Sequence, residues 1–421
     1  MTKKTWLAAV NSPAWNSRIQ AIYGDSSGID KRMHYLMECF DNDADVRIFS
    51  TPGRTELAGN HTDHNRGRVL AGSVHLDALA AVTPRSDNKV ILESAGYRKS
   101  FKLDLSDLEP IPQEAGSFAS LIRGVTAGFS SRGYTFGGFK GRIHSRIPAG
   151  SGLSSSAAIE VLLGTILSGL YNENAVPAVE IAKIGKYAEN RYFNKPCGLM
   201  DQTACAVGGI SSIDFSDPDN PRVDKMDFSF NDHNYILCVV DTGGSHADLT
   251  EDYAACPREM FSVAGALSRE SASEIETEEL LSAIPSLRSS CGDRAILRTL
   301  HFITENQRVI EMARAIRKGD ISSYISIMNA SGDSSWKLLQ NCYSCGNPSE
   351  QGIPLAVELA RLAVGNNAAF RVHGGGFAGT IQALVSKEDF MPFSNRMERV
   401  FGKGSVIPIR VRSQGSIELV L

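Results

Sequence analysis

The chain has 421 residues, 42% hydrophobic and 21% charged, the balance of a soluble globular protein with two domains. A formal charge of −4 with no block of like charges leaves no footprint for nucleic acid or an anionic membrane, and no apolar stretch is long enough to span a bilayer. Residues 1–10 lack the long apolar core of a signal peptide, so the cytoplasm is the expected compartment.

In chain order, residues 1–45 are polar and mixed, with one apolar helical patch at 29–40. A strand at 46–50 runs into a turn at Thr51-Pro52-Gly53, and short strands are expected at 69–74, 79–83 and 90–94. Phe118, Leu121, Ile122, Val125 and Phe129 fall at helical spacing. A strand at 139–145 leads into a glycine-serine stretch, followed by helices at 157–170 and 179–190. The polar stretch 214–232 reads as a connection between halves. Beyond it come a strand at 235–241, a mainly helical stretch at 295–362 and a strand-rich end at 380–421, with no internal repeat. Eight cysteines are too sparse for a disulfide scaffold and most are expected to be reduced and buried. Cys342-x-x-Cys345 lacks a second ligand pair, and His373 stands alone, so zinc is not expected.

Four separated segments carry chemistry. Pro52 to Gly67 packs Arg54, Asn60, His61, Asp63 and His64 between glycines, a density of fixed polar groups that suits a polyhydroxylated ligand. Sugar contact ranks first there, a solvated polar turn second and metal binding third. Ile147 to Ala158 is a glycine-serine loop opening a helix. Gly150 and Gly152 allow close backbone approach to an anion, and the helix N-terminus favours phosphate. There is neither a Gly-x-x-x-x-Gly-Lys-Ser/Thr run nor a Gly-x-Gly-x-x-Gly behind a strand, so this is another kind of phosphate binder. Glu189 and Asp201 flank a turn, where one acid could hold magnesium and the other address a nucleophilic hydroxyl. Arg371 to Gly379 is a second glycine-rich loop entering a strand.

With these segments in this order, the chain resembles the galactokinase branch of the GHMP small-molecule kinases from about Val46 onward. Arg54, His61 and Asp63 stand at the first signature, Pro148 to Ala157 at the ATP loop, Gly198 to Asp201 at the acid turn and Gly374 to Gly379 at the third motif. Further similarity runs through His246 to Arg258, with Tyr253 at a sugar-contact tyrosine, and through Arg294 to Arg308. The resemblance implies a two-domain α+β fold with the active site in the interdomain cleft. Residues 1–45 would be an extension, 46–225 the sugar- and ATP-binding domain and 226–421 the C-terminal domain. It also implies ATP and Mg2+, a sugar substrate, a monomer, and transfer of the γ-phosphoryl group to the anomeric hydroxyl of galactose.

By position, Asp201 and Arg54 would be catalytic, and Asn60, His61, Asp63, Gly198 and Tyr253 would bind the sugar. Gly150, Ser151, Gly152, Leu153, Ser154, Ser155, Ser156, Gly375 and Gly376 would bind ATP, and Ser156 and Glu189 the metal. Asp201 is either a true base or chiefly an orienting charge. Three positions depart from the pattern. Asn60 stands where galactokinases have glutamate, His64 where they have tyrosine, and Ala378 where they have glycine. The first two make galacturonate or another galactose-like sugar the alternative substrate. A second alternative is a sugar and ATP sensor without turnover, against which the complete serine-rich loop speaks.

Overall fold

The computed structural model describes residues 1–10, 12–24, 28–96, 100–148, 150–195, 197–244 and 249–420. Ala149 in the glycine-serine loop, Pro196 before the acid turn and His246 lie outside the described residues. Three helices come first, α1 (Lys3–Ala9), α2 (Pro13–Tyr23) and α3 (Ile29–Met37). Strands β1 (Arg47–Ala58), β2 (Arg68–Pro84), β3 (Lys89–Ser94) and β4 (Phe101–Asp104) precede α4 (Phe118–Ser131) and β5 (Phe139–Ser145). Next are α5 (Ser155–Asn172), α6 (Ala178–Ala188), α7 (Met200–Val207), β6 (Ile210–Asp214), β7 (Arg222–Met226) and β8 (Tyr235–Asp241). Helices α8 (Thr250–Ala266), α9 (Thr277–Ser290), α10 (Asp293–Lys318), α11 (Ile321–Ser334) and α12 (Gly352–Val364) follow. The chain ends with β9 (Ala369–Val372), β10 (Thr380–Ser386), α13 (Phe390–Phe401), β11 (Val406–Ile409) and β12 (Ile417–Leu419).

Two sheets organise these elements into a two-domain α+β architecture. The larger runs β12-β1-β2-β5-β3-β4, with β6 and β7 branching from β2, and the smaller runs β11-β8-β10-β9. β2 serves two partners on one side: Arg68 to Gly72 pair with β6, and Ala78 to Pro84 with β5. Its parity also separates two layers. Leu79 and Ala81 face the N-terminal helices, packing near Trp15, Met33 and Leu36, whereas Ala78, Ala80 and Val82 face the core made with α4, α5 and α6. A strand buried on both faces needs apolar residues at every position, which is why this segment shows little alternation.

The structure corrects several expectations. β1 continues through Thr51, Pro52 and Gly53, read from sequence as a turn, and the register shifts between Pro52 and Arg54. A proline is tolerated there because a bulge has no ladder bond for it to supply. The strands expected at 69–74 and 79–83 are one strand. The polar interruption at Asp77 is buried and accepts hydrogen bonds from Tyr23 Oη at 2.7 Å and Ser50 Oγ at 2.6 Å. Residues 1–45 form three helices, because Trp6 and Trp15 pack edge to face at 5.8 Å and Ser12 caps α2 ahead of Pro13. The stretch 214–232 includes β7, which pairs with β6. The end at 380–421 contains α13, whose Phe393 and Met397 are buried four residues apart. Residues 417–419, assigned above to the C-terminal half, pair with β1 in the larger sheet. All eight cysteines are free, and four of them are buried.

Candidate functional site

Arg54 and Glu56 lie two residues apart on β1 in unbroken register, so both side chains leave the same face. The bulge before them docks the glycine-serine loop: the Arg54 amide donates to Leu153 O at 3.1 Å. Arg54 then grips Asp201 with both arms of its guanidinium, Nε to Oδ1 at 2.6 Å and Nη2 to Oδ2 at 2.7 Å, and its third nitrogen donates to Gly152 O. Ser154 Oγ donates to the same Asp201 carboxylate. Burial opposes ionisation of Asp201, but Arg54 and Ser154 overcome it and hold the carboxyl below the usual range. The carboxylate also sits in the first turn of α7, at the positive end of that helix.

The glycine-serine loop is shaped by its own contacts. Ser154, with φ of +55°, spends its hydroxyl on Asp201 and makes no side-chain cap, leaving the first N–H groups of the 18-residue α5 open to an anion. Ser151 turns its hydroxyl to Pro148 O at 2.7 Å, and Leu153 is buried in the core. That leaves backbone amides of the loop and the Ser155 hydroxyl as candidate phosphate donors, the Ser156 hydroxyl being turned to Glu189. Gly152 has φ of +71°, and a Cβ there would come within 2.7 Å of His373 Nδ1, so only glycine lets this loop abut the second glycine-rich segment.

Ser156 Oγ reaches Glu189 Oε1 at 3.3 Å, and Gln202 Nε2 reaches Glu189 Oε2 at 2.9 Å. A hydroxyl and a buried carboxylate are hard oxygen donors beside the open α5 terminus, a set that fits magnesium carried in with phosphate. Gln202 was not singled out from sequence. Its neighbour Glu160 is buried one helical turn beyond Ser156 and shares the same amide at 2.9 Å.

A cavity of about 200 Å³ opens beside Asp201, lined by Arg54, Glu56, Asn60, His61, Asp63, His64, Lys195, Cys197, Gly198, Met200, Tyr253, Gly374 and Gly375 as well. Its size falls below the ~300–1,000 Å³ of drug-sized sites and suits a monosaccharide. A larger cavity of about 500 Å³, bordered by Tyr23, Phe228 and Arg410, shares none of these residues. Asp63 lies across Gly198, where a Cβ would stand 1.7 Å from Asp63 Oδ2, so this glycine is required by the acid opposite it. His61 Nε2 bonds Gly375 O at 2.9 Å. A carbonyl only accepts, so Nδ1 is left as a bare acceptor, and among the described residues it has no partner. Burial, helped by His64 and His301, keeps this imidazole neutral down to about pH 4.

Asn60 is fully buried and engaged on both sides. Its Nδ2 donates to Glu56 Oε1 at 3.0 Å and to Gly374 O at 2.6 Å, and its Oδ1 accepts from Asn341 Nδ2 at 2.6 Å. Arg371 donates to Glu56 from the other side. Glu56 and Asn341 were given no role from sequence, and Arg371 was read only as the start of the second glycine-rich loop; strand parity with Arg54 would have found Glu56 had β1 been carried through Pro52. Burial pushes the Glu56 carboxyl up against the pull of Arg371 and Arg54. Gly375, expected on the nucleotide side, lines this cavity and its carbonyl bonds His61 and Asn341, while Gly376, behind it, accepts from Tyr253 Oη at 2.8 Å. The structure thus brings the first, second and third segments around Asp201 and joins the fourth to them through Gly374 and Gly375.

Comparison with known proteins agrees with this geometry. Residues 120–209 match the GHMP kinases N terminal domain, and residues 37–84 match the galactokinase galactose-binding signature. Among solved structures, Lactococcus lactis galactokinase complexed with galactose aligns with a TM-score of 0.75 at 23% identity, covering 96% of this chain and 99% of that one. A mevalonate kinase aligns at 0.60 and 18% identity over 87% of this chain and 99% of the other. A D-glycero-D-manno-heptose 1-phosphate kinase from Bacteriodes thetaiotaomicron aligns at 0.60 and 17% over 89% and 99%. At these identities the structural likeness establishes the fold.

Proposed function

We propose, from the premise that this chain is an ATP-dependent sugar kinase with the GHMP fold, that it transfers the γ-phosphoryl group of ATP to the anomeric hydroxyl of galactose. The products are α-galactose 1-phosphate and ADP. The observation that carries the reading is the Asp201 carboxylate, clamped by Arg54 and Ser154 between the open end of α5 and the polar cavity.

In this reading a sugar hydroxyl in the cavity is held in line with the γ-phosphorus by Asp201. The new O–P bond forms as the bond to the β-phosphate bridging oxygen breaks, and Asp201 takes the hydroxyl proton. A carboxyl held below its usual range is a weak base, so its first contribution is orientation, with the proton accepted late; a loose transition state demands no more. Arg54 stabilises the carboxylate and lies beside the phosphoryl path, while backbone amides of residues 150–155 surround the phosphates. Magnesium, held by Ser156 and Glu189, supplies charge neutralisation when bound.

Glu56 favours a neutral sugar over a uronate. The negative charge absent from position 60 is present on Glu56 at the cavity wall, and Asn60 is committed to holding it. A carboxylate there accepts from a sugar hydroxyl and repels a sugar carboxylate. His61 Nδ1, a lone acceptor, asks for the same kind of donor. The division of the chain near residue 226 is supported by β7 ending at Met226 and β8 opening the smaller sheet at Tyr235, with β12 returning to the larger one.

The test is ADP release with magnesium and ATP against galactose, galacturonate, N-acetylgalactosamine, arabinose, glucose and no sugar. Turnover with galactose and none with galacturonate is expected. Preference for galacturonate would overturn the substrate assignment, and sugar binding without turnover would turn the reading into a sensor.

A further inference from the structure

Lys195 follows a wide helical turn at Glu189–Phe193, after which Asn194 takes a left-handed φ of +64° and folds the chain back. Such π turns in helices are frequent at functional sites. Main chain and side chain of Lys195 both land on Glu189: the amide donates to Glu189 O at 3.1 Å, and Nζ donates to Oε1 at 3.0 Å. Oε1 is also the oxygen that Ser156 reaches. The ammonium therefore occupies the carboxylate oxygen that the Ser156 and Glu189 pair would offer a metal ion. The pair is asymmetric. Glu189 is 3% exposed and cannot follow its partner, whereas Lys195 is 58% exposed on a flexible four-carbon stem that lines the same cavity as Arg54 and Asp201.

We propose that Lys195 is an exchangeable cation of the transfer site: it neutralises Glu189 in the nucleotide-free protein and turns its ammonium to the transferring phosphoryl group once magnesium takes its place. The proposal rests on the kinase reading above and goes beyond it, because no motif marks this lysine. Its physical basis is charge. A carboxylate as buried as Glu189 needs a cation in either state, and two cations on one oxygen repel, so metal entry must release Lys195. Of the acids around the cavity, Asp201 is already held by Arg54 and Glu56 by Arg371, while Asp63 is packed across Gly198 and accepts from the His64 amide at 3.0 Å. An incoming polyphosphate is then the anion with charge to spare.

The experiment compares wild type, K195M and K195R. Metal binding is read by Mn2+ electron paramagnetic resonance titration with a non-hydrolysable ATP analogue, alongside magnesium-dependent kinetics and thermal unfolding. K195M removes the competitor, so Mn2+ binding and half-saturating Mg2+ should tighten about two- to fivefold, the worth of a partly exposed ion pair. It also removes a charge from the transfer site, so kcat should fall about tenfold or more. Tighter metal with slower turnover is a split that lost packing does not produce. K195R keeps the charge, should retain most of kcat, and keeps the comparison alive if K195M folds poorly. Unchanged or weaker metal binding in K195M, or unchanged kcat, overturns the proposal while wild type still turns over sugar. A wild type that neither binds Mn2+ with the analogue nor turns over any sugar brings down the kinase reading and this proposal together.

Discussion

Asp201 and Glu56 show how two carboxylates on one cavity take different work from their partners. Both oxygens of Asp201 are held by charged or hydroxyl donors, which fixes its direction and lowers its proton affinity. Asp201→Asn replaces one acceptor by an NH2 group facing the Arg54 fork, and turnover should fall about a hundredfold or more, the scale of a general-base contribution. Steady-state kinetics, with calorimetry showing that the sugar still binds, would separate this from a folding defect. Glu56, in the proposed reading, instead meets the substrate's polarity. Glu56→Gln removes the charge that excludes a uronate, and kcat/KM for galacturonate relative to galactose should rise about tenfold or more. Asn60→Glu is expected to act differently from a specificity switch. Glutamate cannot donate to Glu56 or to Gly374 O, so a second carboxylate is forced against the first. Activity and melting temperature should drop for every sugar tested. A clean change of preference with full stability would show that Asn60 itself reads the substrate.

The same logic of buried charge sets how elements are joined. Asp77 in the middle of β2 ties α3 through Arg32 at 2.7 Å, α2 through Tyr23 and β1 through Ser50, with Arg146 and Arg412 at 3.8 Å. Burial works against its charge, but Arg32, Arg412 and Arg146 prevail and bring the carboxyl to about 2, from 3.8. A depressed carboxyl contributes above its unfolded value and loses that contribution as pH falls through the folded one. Here that is about 2 kcal/mol, present above pH 4 and lost towards pH 2. Asp77→Asn strands three arginines and should cost about 3–5 kcal/mol at neutral pH, measured by urea unfolding, while flattening the acid dependence between pH 4 and 2. An unchanged midpoint would mean that the arginines find other partners. This acid also explains what was illegible in the sequence. Helices α4 and α5 and strands β5 and β8 lay close to their expected places because one periodicity governs each of them. β2 was split because a buried ion pair looks like a surface break, and β1 was cut because a proline in a bulge looks like a turn. Within the site, Arg54, His61, Asp63, Ser156, Glu189 and Asp201 were singled out through the resemblance to galactokinases, and the structure gathers Arg54, His61, Asp63 and Asp201 on one cavity with Ser156 and Glu189 in contact beside it. Asn341 and Arg371 were given no role there, since what makes them matter is contact with Asn60 and Glu56 from some 280 residues or more away.

At the scale of the whole molecule, the cavity draws Arg54 to His64 and Lys195 to Asp201 from one half, and Tyr253, Gly374 and Gly375 from the other. The core beneath it is continuous as well. β8 presents Leu237 and Val239 to the main core that includes Phe129 and Leu162, while Cys238 and Val240 face a separate layer covered by α12 and α13. Gln382 on β10 adds a polar tie across the halves, donating to Thr55 Oγ1 at 2.6 Å. A core shared in this way should make the halves unfold together despite the size of the chain, and a ligand that bridges them should stabilise both. A sugar at about a hundred times its dissociation constant, galactose in the proposed reading, would be worth about 2.7 kcal/mol to the state that binds it. Scanning calorimetry should therefore show one transition that moves up as a whole with sugar. Two transitions, with only one of them shifting, would mean that the apolar contacts between halves are too weak to couple them and that the sugar is held by one half alone.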